Sequence, residues 1–318
     1  MPLPPGLYFS HPSSLQHDPR ERMPGHPDIP ERLVAIESLL GTEDWLGWER
    51  RASPAVSERE LQLIHEPEHV AQIKALAQAG GGAIDLDTAV GAHSYEAAVH
   101  AAGGASALVG ALLSNEAPRG VSVARPPGHH AEADRAMGFC LFDNVAVAAE
   151  FAIRELGIER VFVLDWDVHH GNGTAEIFRD RDDVLFASIH QAGLYPGSGP
   201  LDDAGTGAGA GYTLNLPVPA GSEGELWLSL LEHVALPIAR EFAPELILIS
   251  AGFDAHRADP LAGCRLETAD FAAMARQVRD LATALDAPLG AVLEGGYAPE
   301  VLAECTLATL AALAGEDP

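Results

Sequence analysis

Acidic and imidazole side chains stand close together directly after one apolar run of the sequence. The run VFVLD ends at Asp165 and continues as WDVHHGNG, which brings Asp167, His169 and His170. Burying even a merely polar group next to a strand costs about 2–7 kcal/mol unless it is paired or binds a metal. In an extended segment Asp167 and His169 lie on the same side, within reach of one cation. Oxygen and nitrogen ligands of this kind are typical of a catalytic Zn²⁺ or Fe²⁺ site, the alternative being loop residues that cap the next helix.

Polar side chains also follow four other short apolar runs. RPPGHHAE follows GVSVA, and the remaining three runs lead to His190, Asp254 and Tyr297. Because ligands of open α/β sheets bind beyond the carboxyl ends of the strands, we expect these side chains at one sheet edge. One histidine alone would be typical of a core residue, but five strands that deliver such groups to one edge favour a site.

The residue types also form a set that can work together in one reaction. Asp167, His169 and Asp254 supply three metal ligands and leave room for water and substrate. The tandem histidines of RPPGHHAE supply a general base and acid, and the Tyr297 O–H can donate to a developing oxyanion. No Ser or Cys stands in the context of a nucleophile elbow. The sequence therefore predicts attack of a metal-activated water on a carbonyl.

The elements that must position these residues alternate between strand and helix. This rhythm predicts a single domain over residues 1–318, an open doubly wound, mostly parallel sheet with helices on both faces. The predicted strands are 6–9, 48–52, 120–124, 160–165, 184–189, 212–216, 245–250 and 290–294. The clearest helices are predicted at 32–41, 69–82, 94–113, 144–156, 174–179, 223–241, 268–285 and 299–314, with a further helix opening at a capping box after Ser57.

The composition restricts the partners and the compartment. Of the 318 residues 19 are Lys or Arg and 46 are Asp or Glu, which gives a net charge of −27. Such a surface repels nucleic acid and anionic membranes and would attract cationic substrates, although solubility or adaptation to salt is the favoured explanation of the charge. The scattered Cys140, Cys264 and Cys305 form no CxxC pair, which is typical of a reduced, cytoplasmic protein. We see no signal peptide, and the apolar runs look too short or too interrupted to span a bilayer.

Five motifs together resemble the histone deacetylase family. They are RPPGHHA, GFCLFDN, DWDVHHGNGT, SAGFDAHRADPLAG and LEGGY. The resemblance runs from residue 25 to Tyr297. Within the family the motifs resemble the class II branch more than class I, and the family also includes bacterial histone deacetylase-like amidohydrolases and acetylpolyamine amidohydrolases. It implies an arginase-like fold and a zinc-dependent amidohydrolase that hydrolyses the C–N bond of linear amides.

The resemblance also implies a catalytic role for individual residues. Zn²⁺, with Fe²⁺ in vivo as an alternative, would be held by Asp167, His169 and Asp254. His130 would be the general base and then the general acid, with His129 as an electrostatic neighbour.

Three further residues would support the reaction. Asp165 would orient His129, and Asn172 would orient His130. Class I members carry a second Asp at the Asn172 position, so the support of His130 is expected to be weaker here. Tyr297 would polarise the scissile carbonyl, and its presence predicts an active enzyme, because class IIa vertebrate enzymes with His at this position are feeble.

The resemblance places substrate and ion contacts as well. Phe139 and Tyr195 would wall an acyl-chain tunnel, with the Gly138 backbone near the scissile amide, and Arg32 would lie behind the metal near an internal acetate channel. A structural K⁺ would use groups of Asp165, Asp167, His169, Ser188 and Ile189.

The substrate is predicted to be an acyl-lysine, in a peptide or a small amide, rather than an acetylpolyamine. Polyamine deacetylases of the vertebrate type carry a Glu at the rim where this chain has Leu261. Against this stand the acidic surface and the long loop 17–27, whose Asp18 or Glu21 could replace that Glu. A catalytically silent acyl-lysine binding module on the same fold and a homo-oligomer are alternatives that stay open. An arginase-like two-manganese site would need more carboxylates than the motifs show.

Overall fold

The structure is a computed structural model that describes residues 5–315. Within this range the chain forms ten strands: β1 (Leu7–Ser10), β2 (Glu49–Ala52), β3 (Gly81–Ala83), β4 (Ala89–Gly91), β5 (Arg119–Ser122), β6 (Val161–Asp165), β7 (Val184–Gln191), β8 (Thr213–Val218), β9 (Leu246–Ala251) and β10 (Leu289–Leu293). The same range contains ten α-helices: α1 (Glu31–Thr42), α2 (Glu58–Leu61), α3 (Pro67–Gln78), α4 (Ser94–Leu113), α5 (Asn144–Leu156), α6 (Asn172–Ile177), α7 (Gly224–Leu230), α8 (Leu236–Phe242), α9 (Thr268–Leu285) and α10 (Pro299–Ala314).

Eight strands form one sheet in the order β2-β1-β5-β10-β9-β6-β7-β8. Every neighbouring pair in it is parallel. Its eight strands correspond to the eight predicted from the sequence, so the predicted fold class is confirmed. The strand last in sequence, β10, pairs with β5 on one side and β9 on the other.

The sheet is covered by helices on both faces. Along β6 the side chains alternate between two cores: Phe162 and Leu164 pack in one, and Val161 and Val163 in the other. The first core is closed by α1, α9 and α10, and the second by α4 and α5. A strand buried on both faces must be apolar at every position, which explains the uninterrupted VFVL run.

Local capping explains where the helix α5 begins and ends. In α5 the Asp143 side chain accepts a hydrogen bond of 2.9 Å from the Ala146 N–H, and the helix ends at Gly157 with φ +76°. An N-cap carboxylate satisfies one of the unpaired N–H groups, and a glycine tolerates the left-handed conformation of the end.

Several elements differ from the prediction. The helix predicted over 223–241 is divided into α7, a π-helical turn at Leu231–Ala235, and α8. The helix after Ser57 ends at Leu61 after one turn. The antiparallel hairpin β3–β4 was missed, because its short strands are rich in glycine and carry little strand propensity.

The helix α4 corrects one expectation. It is the single helix within residues 5–315 that is long and apolar enough to cross a membrane, whereas the sequence suggested that none was. Of its most apolar window, 72% is buried inside the fold. Its small side chains pack against α5 and the sheet, which accounts for the composition.

Candidate active site

The carboxyl ends of four neighbouring strands assemble the site. β6 ends at Asp165, and the turn after it carries the metal-ligand candidates of the DWDVHH motif. The loops that follow β9, β10 and β5 bring Asp254, Tyr297 and the tandem histidines to the same edge. The edge predicted from the sequence is therefore the edge at which these side chains meet.

Asp167, His169 and Asp254 offer donor atoms that all lie within 4.8 Å of one another. The His169 Nδ1 atom is 3.1 Å from Asp167 Oδ1 and 3.0 Å from Asp254 Oδ2. All three side chains are buried, and among the described residues no other cluster of three such groups occurs. Two carboxylates and one imidazole whose donor atoms converge in this way are a donor set that fits a divalent cation.

Backbone N–H groups fix the two carboxylates. Asp167 Oδ2 accepts from Gly295 N at 2.8 Å, and Asp254 Oδ1 accepts from Val168 N at 2.8 Å. Burial lowers the pKa of His169, but Asp254 and Asp167 outweigh it and raise that pKa to about 10. The cluster therefore attracts positive charge strongly, whether a proton or a metal ion supplies it.

The two adjacent histidines have different partners. His129 Nδ1 lies 2.9 Å from Asp165 Oδ2, whereas His130 Nδ1 lies 2.8 Å from Asn172 Oδ1. Burial opposes charge on both rings, yet Asp167 and Asp165 raise the pKa of His129 well above its ordinary value. Burial and the neighbouring His129 hold the pKa of His130 well below it. His129 is thus suited to carry a positive charge, and the neutral His130 is suited to accept a proton.

A cavity of about 200 Å³ opens next to these groups. Its walls are formed by Asp87, His130, Gly138, Phe139, His169, Leu194, Tyr195, Leu261 and Tyr297. All four residues predicted to contact substrate therefore lie around one space.

Gly138 allows this wall to approach His130 closely. It has φ +56°, and a Cβ there would lie 2.4 Å from the His130 ring and 2.9 Å from Tyr195. Real Cβ atoms essentially never come so close, so any other residue would displace the ring or the wall.

The Tyr297 ring lies between a cation and an aromatic wall. The Arg32 Cζ atom is 4.8 Å from the centre of the phenol ring, and the Phe139 ring centre is 5.6 Å away in an edge-to-face arrangement. Burial raises the pKa of Tyr297 well above its ordinary value, although Arg32 opposes this shift. The hydroxyl therefore keeps its proton and can act as a donor.

Arg32 belongs to a fully buried charge cluster behind the site. Asp28 Oδ1 accepts from Arg32 Nη1 and from Arg125 Nε, each at 2.6 Å. Asp28, Arg32 and Arg125 are all 0% exposed. The family resemblance implied a position of Arg32 behind the metal, but the hydrogen-bonded ion pairs that Asp28 forms with Arg32 and Arg125 were not predicted.

The residues predicted to hold K⁺ lie where β6 and β7 pair. Asp165 and Ser188 are register partners, and both are buried. The Ser188 hydroxyl lies 2.9 Å from Nδ1 of His190. His190 was expected among the polar side chains that gather at the carboxyl edge of the sheet. It contacts Ser188 and the Gly199 carbonyl instead and does not line the cavity. The K⁺ site stays a prediction.

Sequence reasoning missed three acidic residues of the site. Asp87 lines the cavity. The Glu294 side chain accepts from Gly128 N at 2.7 Å and from His129 N at 3.2 Å, and burial raises its pKa to about 8. Asp259 binds the backbone of Tyr297 at 2.6 Å. Glu294 and Asp259 stand inside motifs, but the groups they bind lie far away in the sequence, and Asp87 lies outside all five motifs.

Comparison with known proteins decides the family. The sequence profile of the histone deacetylase domain matches residues 26–313. This chain belongs to the histone deacetylase family. It is a hydrolase of the deacetylase and amidohydrolase type, as the motifs predicted.

Relatives and a solved structure agree with this assignment. The chain is 42% identical over 294 residues to a histone deacetylase-like amidohydrolase of Pseudomonas aeruginosa, a match that covers 92% of this chain and 77% of that protein. It is 39% identical over 317 residues to a protein of Archaeoglobus fulgidus named "probable deacetylase", covering 98% and 87%. The crystal structure of the HDA15 HD domain superimposes with a TM-score of 0.94 at 36% identity, covering 98% of this chain and 88% of that one.

Proposed function

We propose that this histone deacetylase family member is a zinc-dependent deacylase that hydrolyses the amide of an acylated amine. One observation carries the proposal: the three-donor cluster, a neutral imidazole and a protonated phenol meet around one narrow cavity. This combination supplies a metal site, a proton acceptor and an oxyanion donor together.

Asp167, His169 and Asp254 would hold the Zn²⁺. Their donor set of one nitrogen and two carboxylates leaves coordination positions open, as catalytic sites require. When bound, Zn²⁺ supplies Lewis-acid polarisation of the carbonyl and lowers the pKa of a water.

His130 is positioned to move the proton. The Asn172 amide donates to Glu132 Oε1 at 2.8 Å, which turns its oxygen toward His130. The His130 Nδ1 atom must therefore carry the hydrogen of that bond, and Nε2 is left as an acceptor. Nε2 takes a proton from the attacking water and passes it to the leaving amine.

Tyr297 and the cavity walls position the substrate. The Tyr297 hydroxyl donates a hydrogen bond to the oxygen on which negative charge develops. Phe139 and Tyr195 exclude water along the acyl-amine chain. His129, held by Asp165, keeps positive charge close to the reacting groups.

Acyl-lysine is the substrate class we favour over acetylpolyamine. The apolar Leu261 lies in the cavity wall and offers no partner for the distant ammonium of a polyamine. Asp18, one suggested replacement, is engaged by Arg20 at 2.8 Å and 2.6 Å. Asp87 at the cavity is the observation that favours a cationic amine as the second candidate.

The decisive experiment is a substrate panel with the zinc-loaded protein. We expect turnover of acyl-lysine peptides, with kcat/KM above that for acetylpolyamines. If hydroxamates bind but no acylated amine is hydrolysed, the protein is a silent acyl-lysine binding module instead.

A further inference from the structure

Asp259 stands at the junction of two loops that both reach the cavity. The residue is buried, with 8% of its surface exposed, and it lies five residues after the metal-ligand candidate Asp254. One oxygen, Oδ2, accepts from Tyr297 N at 2.6 Å, and the other, Oδ1, accepts from Leu261 N at 2.9 Å. One carboxylate thus joins the backbone that carries the oxyanion donor to the backbone that carries the rim residue.

The segment before Tyr297 needs such an anchor. Gly295 and Gly296 precede it, and Gly296 has φ +122°, a conformation that only glycine adopts easily. The loop is held at Gly296 O by Arg32 Nε at 2.6 Å and at Tyr297 N by Asp259. Two glycines in succession restrict the backbone little, so the position of the phenol depends on these bonds.

We propose that Asp259 is a positioning residue, which places the Tyr297 hydroxyl for the reaction and keeps it in register with the rim at Leu261. Both of its partners are backbone N–H donors, and the carboxylate offers one acceptor oxygen to each of them. An asparagine would satisfy one donor and turn its own NH₂ toward the other. The inference rests on the proposed deacylase function, in which Tyr297 is the oxyanion donor.

A double-mutant cycle separates this role from a general structural one. Asp259→Asn should lower kcat by about tenfold or more in the wild-type background, part of the ~10²–10³-fold that an oxyanion donor contributes. In the Tyr297→Phe background, where the hydroxyl is gone, the same change should cost less than about threefold, because acting through Tyr297 predicts strong non-additivity. Equal fold losses in both backgrounds would overturn the inference.

Two further variants complete the kinetic test. Asp270→Asn is the matched control, since Asp270 also accepts a backbone N–H, that of Glu267, but lies at the start of α9 away from the cavity. It should leave kcat unchanged. Should the Asp259→Asn protein not fold, Asp259→Glu keeps two acceptors displaced by one methylene and must show the same smaller loss in the Tyr297→Phe background.

A readout that needs no turnover keeps the inference separate from the proposed function. The chain has 5 tyrosines, so 3-fluorotyrosine labelling gives few ¹⁹F resonances, and Tyr297→Phe identifies the one that disappears. Asp259→Asn should shift or broaden that resonance, and Asp270→Asn should not. An unchanged Tyr297 resonance in Asp259→Asn overturns the positioning role even if the wild-type protein is active. A wild-type protein that hydrolyses no acylated amine refutes the function, while the ¹⁹F spectra still decide the role of Asp259.

Discussion

His130 is hydrogen-bonded to Asn172 through Nδ1 and Oδ1 at 2.8 Å, a neutral amide in place of the carboxylate that holds its neighbour His129. A neutral partner stabilises imidazolium less than a carboxylate does, which suits a ring that must accept and then release a proton.

His130→Ala should therefore lower kcat more than His129→Ala does. General acid–base catalysis supplies about 10²–10⁴-fold, and only His130 lines the cavity. Steady-state kinetics with matched zinc content and thermal stability measure the difference. Equal and small losses would mean that the chain's histidines do not move the proton.

Tyr297→Phe should lower kcat by about 10²–10³-fold while zinc content is retained, because the hydroxyl acts on the developing charge. The control is Tyr212→Phe, since Tyr212 packs against Phe242 away from the cavity. Unchanged turnover of the Tyr297 variant would place the oxyanion donor elsewhere.

Asp254→Ala should lose both bound zinc and activity, because it removes one of three ligands. A chelator should abolish the activity of the wild-type protein, and added Zn²⁺ should restore it. Metal analysis beside kinetics checks both results. Asp280→Ala, at an exposed position of α9, serves as the control and should keep its zinc. A fully loaded and active Asp254→Ala protein would refute the ligand assignment.

Leu261→Glu should move selectivity toward N8-acetylspermidine, because a carboxylate at the rim can pair with the distant ammonium. The ratio of kcat/KM for this amine and an acetyl-lysine peptide measures the change. Leu261→Gln has the size without the charge and should shift the ratio little. A wild-type preference of tenfold for the polyamine would reverse the proposed ranking and point to Asp87 or the loop 17–27.

Asp28→Asn should lower the free energy of unfolding by about 3–5 kcal/mol, the usual cost of leaving buried charges without their partner. Burial alone would raise the pKa of Asp28, but Arg125 and His17 hold it well below the ordinary value. Its contribution is thus complete above the unfolded-state pKa of about 3.9 and disappears as the pH falls through the folded-state pKa.

Urea unfolding of the Asp28 variant between pH 3 and 7 tests this prediction. The difference from wild type should be constant near neutrality and shrink below about pH 4. Asp18→Asn is the control, because its partner Arg20 is 36% exposed and surface pairs contribute about 0–1 kcal/mol. A pH-independent difference would show that Asp28 does not titrate with folding.

The sheet and the metal-ligand candidates could be predicted because the evidence for them is local in sequence. A strand such as β6 is recognisable in the sequence from the four apolar residues VFVL in a row, and Asp167 and His169 follow it closely. Parallel strands then bring such turns to one edge with no further information.

The supporting contacts could not be predicted, because they join distant parts of the chain. Asp28 and Arg125 are 97 residues apart, and Asp259 and Tyr297 are 38 apart. No periodicity marks such pairs, and a buried acid looks like a surface acid in the sequence. By contrast, the division of the helix predicted over 223–241 does have a signal in the sequence, because Pro237, which lacks a backbone N–H, stands at the start of α8, two residues after the π-helical turn Leu231–Ala235.

The central place of β10 has a consequence for biosynthesis. The strand that separates β5 from β9 is the last to be synthesised, so a ribosome-bound chain holds two partial sheets, β2-β1-β5 and β9-β6-β7-β8. One partial sheet carries the tandem histidines, and the other carries all three metal-ligand candidates. The two meet only after residue 293 has left the exit tunnel, so in a nascent chain, or one cut short before β10, the three metal-ligand candidates can come together without the tandem histidines or Tyr297 beside them.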